Sequence, residues 1–343
     1  MAEPRGSGLY LVIGKNKESD RLFMQHLSVF FQTRQVWFYF IAIIIGIGAS
    51  AVFSGTTAAF STAINPVLAL LLFATFLAVP MRKFLESFRN FRFLAIVTAV
   101  NFALVPLVAL VLTRPVSGQE ALTIGVLLVL LAPCVDYVIV FTRLAGGADE
   151  NLLAATPVLM LLQVLLLPIY LAWFTGGTFL ASMDARPFIE AFVFLILLPL
   201  VAAAIIQFLA SHWRWPALVI DTMDLLMVPL MMLVLFLVIS SQFFMVAGNF
   251  GQLMYVVPIY VAFLLIMGPL GGIIAKRIGL DFRSQRAVAF SGATRNSLVI
   301  LPLALALAAE YPLVPAVVIC QTVVELLGML AYTRAIPCLL PDV

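Results

Sequence analysis

The chain is dominated by apolar runs of the length that one bilayer crossing requires. No charged side chain interrupts Leu152 to Phe174, nor Met254 to Ala275. A helix needs about 20 such residues to cross the hydrocarbon core, and only helices or closed barrels satisfy their backbone polar groups there. On that criterion the sequence predicts ten crossings: Val36–Phe53, Pro66–Pro80, Phe93–Thr113, Leu122–Arg143, Leu152–Phe174, Phe188–Ala210, Ala217–Ala247, Met254–Ala275, Ala287–Ala309 and Leu313–Tyr332. Residues 1–35 form a cytoplasmic arm ahead of them, and Ser54–Asn65 is expected as an uncharged link. The eighth crossing carries Gly268-Pro269 and Gly271-Gly272 and is expected to bend.

Composition and charge sharpen this. With 64% hydrophobic and 10% charged residues, the chain cannot be an ordinary soluble domain. With the N-terminus inside, every Lys and Arg except Arg114, Arg186 and Arg295 falls in an inner segment, as the positive-inside rule demands. That places both termini in the cytoplasm and the chain in a plasma membrane, the bacterial inner membrane. The three cysteines, Cys134, Cys320 and Cys338, have no C-x-x-C spacing, and neither a zinc-protease helix nor a phosphate-binding loop is present. No metal, cofactor or nucleic acid is called for, and no catalytic constellation for an enzyme is visible.

Ten crossings divide into two fives of opposite orientation, so an internal repeat is an inverted one. The halves are 36–174 and 188–335. Ala132–Arg143 in the fourth crossing and Ala293–Ile300 in the ninth align at Ala132/Ala293, Val138/Val299 and Ile139/Ile300. A second pair, Pro157 with Gln163 and Pro315 with Gln321, has nearly the same offset. Inverted repeats with interrupted helices at the midplane are the architecture of many secondary transporters.

The interrupted stretches carry the groups that are costly in a membrane. Pro133 lacks an amide hydrogen and is expected to free the carbonyl of Val129. Asp136, three residues on, and Cys134 beside the break face a solute site in this reading. Arg295, Asn296 and Ser297 form the opposite wall. Arg295 cannot shed its proton, so it is expected to meet an anion, either Asp136 or Glu325. That pair could hold the halves together or serve transport. Two carboxylates against one guanidinium leave one negative charge, which a proton or a sodium ion would neutralise. Glu325 follows Gln321 by one helical turn on the same face, and the pair is read with Asp136 and Gln163 as the coupling site. Gln163 fits an interhelical hydrogen bond equally well. Cys320 lies about 100° around the helix from Gln321, away from Cys134.

These residues, Ala132-Pro133-Cys134-Val135-Asp136, Ala293-Thr294-Arg295-Asn296-Ser297, and Gln321 with Glu325, resemble the bile acid:sodium symporter superfamily, and within it the arsenical-resistance permeases. The resemblance implies a core domain of crossings three to five and eight to ten, with crossings four and nine unwound where they cross. Crossings one, two, six and seven would form a panel. In the arsenite-efflux branch the cysteine and the glutamate are the functional positions, which correspond to Cys134 and Glu325. The chain departs from that branch at Pro133, Asp136 and Arg295.

The expectation is therefore an all-α polytopic protein that exports arsenite or a related arsenical by proton antiport. Cys134, Asp136, Arg295, Asn296 and Ser297 would meet the solute, and Glu325, Asp136, Gln321 and Gln163 the coupling ion. The alternatives are a sodium-coupled organic anion symporter, or a membrane sensor that binds without transporting.

Overall fold

A computed structural model of the chain describes residues 31, 34, 37–52, 57–79, 88–135, 137–174, 185–213 and 215–341. Asp136 and most of the N-terminal arm lie outside these described residues. The described residues are helical, with no named strand among them. In chain order the helices are α1 (Trp37–Val52), α2 (Thr57–Ala78), α3 (Phe91–Leu112), α4 (Glu120–Leu130), α5 (Tyr137–Leu144) and α6 (Asp149–Phe174). Then follow α7 (Ile189–Leu209), α8 (Trp215–Gly248), α9 (Val257–Arg277), α10 (Phe282–Ala293), α11 (Ser297–Ala306) and α12 (Val314–Leu339). Six helices among the described residues are long and apolar enough to cross a membrane, so the chain is a polytopic membrane protein.

Local chemistry accounts for several boundaries. α3 contains a π-helical segment, Val100–Leu104, immediately before Pro106, and α7 contains another, Phe192–Leu197, before Pro199. The wider turn accommodates a proline that cannot donate to the ladder. α6 opens on Asp149 and Glu150, where the helix dipole favours acids, and Arg143 Nε holds Asp149 Oδ2 at 2.6 Å. The last carbonyls of α2 are covered from α7, where Gln207 Nε2 donates to Phe76 O, Leu77 O and Val79 O.

One expectation changes. α2 starts at Thr57, not Pro66, so most of the expected link is helix; Pro66 lies inside it, and small uncharged residues before it continue the helix at no charge penalty. α9 is a single helix with Pro269 inside it, and its glycines serve close packing: a Cβ on Gly268 would collide with the ring and hydroxyl of Tyr332 on α12. The two stretches expected to be interrupted are each two helices, α4 with α5 and α10 with α11, joined by extended chain.

Packing sorts the helices. α2 lies along α8 and α7, and α1 meets α8 closely, with Ser240 Oγ donating to Gly46 O at 3.2 Å. α9 packs on α10 and α12, α12 on α4 and α11, and α10 on α3, α5 and α6. The extended links between the broken helices lie in the second group.

Candidate functional site

The two extended links meet. Pro133 and Arg295 form an isolated antiparallel bridge: Asn296 N–H donates to Ala132 O at 2.8 Å, and Cys134 N–H donates to Thr294 O at 3.3 Å. Backbone inside a membrane must find partners, and here each broken helix supplies them to the other. Ala132, Cys134, Thr294 and Arg295 are all fully buried.

The carbonyl expected to be freed by Pro133 is a different one. α4 has already ended at Leu130, and Val129 O accepts from Ala132 N–H at 3.1 Å in a tight turn. It is Leu130 O, whose helical partner Cys134 N–H is diverted to Thr294, that becomes available, and Arg295 Nη1 donates to it at 3.2 Å.

Arg295 also departs from expectation. Among the described residues its guanidinium meets no carboxylate. Nη2 donates to Asn101 Oδ1 at 2.7 Å, Ser291 O at 2.6 Å and Gly292 O at 2.9 Å, and the group lies over the Phe263 ring at 5.4 Å. The contact with Glu325 is made by the backbone instead, Arg295 N–H to Glu325 Oε2 at 2.8 Å. A side chain long enough to fold back over the end of its own helix neutralises its charge on that helix's carbonyls.

Glu325 is buried and is the acceptor for three donors. Besides the Arg295 amide these are the Tyr137 hydroxyl and Gln321 Nε2. Tyr137, the first residue of α5, also donates to Arg295 O at 3.1 Å. One carboxylate on α12 therefore ties the start of α5 to the link between α10 and α11. Gln321 faces Glu325 as its spacing demands; its Oε1, and that of the buried Gln163, meet no donor among the described residues.

Asn296 caps α11, its Oδ1 accepting from Val299 N–H at 3.2 Å, while its buried Nδ2 meets no acceptor among the described residues. Ser297 Oγ accepts from Thr322 Oγ1 at 2.9 Å. Ser297 and Thr322 border a cleft of about 10 Å³ between α1, α8, α11 and α12, room for about one water. Sharing Ile43, Ile239, Ile319 and Val323 with it is a larger cavity of about 330 Å³ whose walls include Phe243, Val246, Leu253 and Val324. Its lining is apolar apart from Gln242 and the thiol of Cys320. Cys134 lines neither space, and Cys338 is exposed.

The structure thus brings Cys134, Arg295, Asn296, Ser297, Gln321 and Glu325 to one crossing. Asp136 falls outside the described residues. Sequence reasoning missed Asn101, Tyr137, Ser291 and Thr322. Each had a signal, a polar side chain inside an apolar crossing, but no spacing rule links residues on four different helices. Among the described residues no group of His, Cys, Asp and Glu could hold a metal ion.

No curated protein sequence matches the chain. Residues 65–251 match the sodium bile acid symporter family, a stretch that runs from within α2 past the end of α8 and includes the first break with Cys134. The match spans more than half of this polytopic membrane protein, which therefore belongs to the sodium bile acid symporter family, a family of transporters.

Proposed function

We propose that the protein is a secondary active transporter for an amphipathic organic anion. It would be built of ten crossings in two inverted repeats, α1–α6 and α7–α12, with α4/α5 and α10/α11 as the broken pairs. α1, α2, α7 and α8 form a panel and the other helices a core. The observation that carries the reading is the cavity of about 330 Å³ between α1 and α8 on one side and α9 and α12 on the other. Its size falls in the range that holds small organic ligands, and an apolar wall with few polar groups is what such ligands need.

In this reading the apolar body of the solute rests between Ile239 and Ile319, and its polar head reaches Ser297 and Thr322. The N-terminal end of α11 lies there, and its dipole favours an anion. Glu325, with Gln321, is the coupling group, and Asp136 and Gln163 are assigned to it as well; the coupling ion is sodium or a proton. Movement of the core against the panel would close the cavity on one side and open it on the other.

A specific feature favours a second reading, export of arsenite by proton exchange: Cys134 sits at the crossing, hydrogen-bonded through its amide to Thr294, and Tyr137 links that segment to Glu325. A thiolate suits a thiophilic metalloid.

The two readings separate in proteoliposomes loaded with a labelled bile acid or with arsenite. Ile319→Trp, which fills the cavity, is expected to abolish organic anion counterflow while Cys134→Ser leaves it intact. Metalloid transport that survives Ile319→Trp and is lost in Cys134→Ser would replace the first reading with the second.

A further inference from the structure

The guanidinium of Arg295 lies in a cage of oxygens that the breaks themselves expose. α10 ends at Ala293. The carbonyls of Ser291 and Gly292 would take the amides of Arg295 and Asn296 if the helix continued, but those amides go to Glu325 Oε2 and Ala132 O, both at 2.8 Å. α4 ends at Leu130, whose carbonyl loses the Cys134 amide to Thr294 O. The three released carbonyls converge with Asn101 Oδ1 on the guanidinium, at 2.6, 2.9 and 2.7 Å from Nη2 for Ser291, Gly292 and Asn101 and at 3.2 Å from Nη1 for Leu130.

Asn101 is itself held in place. Its Nδ2 donates to Val97 O and to Ser291 Oγ, each at 2.9 Å, so its oxygen is turned inward. The face of Phe263 closes another side at 5.4 Å. Among the described residues every member of this shell is neutral, and each presents its negative end. The carbonyl ends of half-helices and unwound backbone are the groups with which membrane transporters hold a small bare cation. A guanidinium recruited for an ion pair would face a carboxylate, and its Nε would be partnered; here Nε is buried without an acceptor among the described residues.

We infer that this cage is a monovalent-cation site that the chain fills with its own side chain. Arg295 stands as a tethered cation where a free ion would otherwise bind between the broken helices. The cage then carries permanent positive charge, cannot load and release an ion in a transport cycle, and leaves any ion coupling to the groups around Glu325. The inference rests on the cage alone and holds whatever the solute.

Removing the guanidinium should return the cage to free cations. The full-length Arg295→Ala protein, purified in detergent and choline chloride, is expected to show a saturable rise in melting temperature as millimolar sodium or guanidinium chloride is added. Under the same additions the wild type should rise less, because its cage is already filled. A folded Arg295→Ala protein that responds to neither ion more than the wild type overturns the inference. If Arg295→Ala does not fold, Arg295→Lys and Arg295→Met decide. The lysine variant keeps a cation in the cage and is expected to melt closer to the wild type, whereas a methionine variant as stable as the lysine one, or more so, shows that the cage does not need a charge.

Discussion

Glu325 and Arg295 touch through the backbone amide of one and the carboxylate of the other, and the three donors on that carboxylate come from α5, α12 and the link before α11. Each buried donor left without an acceptor costs about 1–3 kcal/mol. Glu325→Ala orphans the Arg295 amide and the Gln321 side-chain amide and leaves the Tyr137 hydroxyl only Arg295 O, whereas Tyr137→Phe removes a donor together with its bonds and should cost about 1 kcal/mol. Melting of the two variants in detergent should therefore show the alanine protein much the less stable; equal stability would mean that the carboxylate does not hold the crossing together. At this scale the sequence identified Glu325, Gln321 and Arg295 as belonging together, because polar groups in apolar crossings have few places to go. It misread how they join. The guanidinium turns back onto Ser291 and Gly292, four and three residues earlier, which depends on where α10 stops, and that is decided by the pairing with Ala132.

Between elements, the pairing of the two extended links is what a continuous helix could not provide. Pro133 and the polar run from Thr294 to Ser297 made both interruptions legible, since neither an amide-less residue nor an arginine sits comfortably in an unbroken membrane helix. Their ends were not legible to the residue: α4 stops before the proline, and α2 extends back to Thr57 through residues whose lack of charge makes link and helix look alike. Asn296, singled out for solute contact, has a structural duty as the cap of α11. Asn296→Ala should lower stability by about 1 kcal/mol, and Asn296→Asp, which keeps an accepting oxygen, should lose less. Hydrogen exchange at the start of α11 checks this directly: faster exchange in the alanine variant alone is expected, and unchanged exchange there would remove the cap from the account.

Across the whole molecule, the cavity between α1, α8, α9 and α12 is the feature that the sequence could not disclose. Ile43, Ile239 and Ile319 look the same in a list of residues whether they face lipid, a packed neighbour or a solute, and only the spacing of the helices separates those cases. The central claim is that this space must close and reopen as one group of helices moves against the other. The direct test is labelled bile acid counterflow in proteoliposomes holding the Ile43→Cys, Ile319→Cys, Cys320→Ser protein, before and after a short bifunctional thiol reagent bridges α1 to α12 across the cavity. Exchange that is present before bridging and lost in proportion to it is the expected result; undiminished exchange in fully bridged protein would contradict the claim.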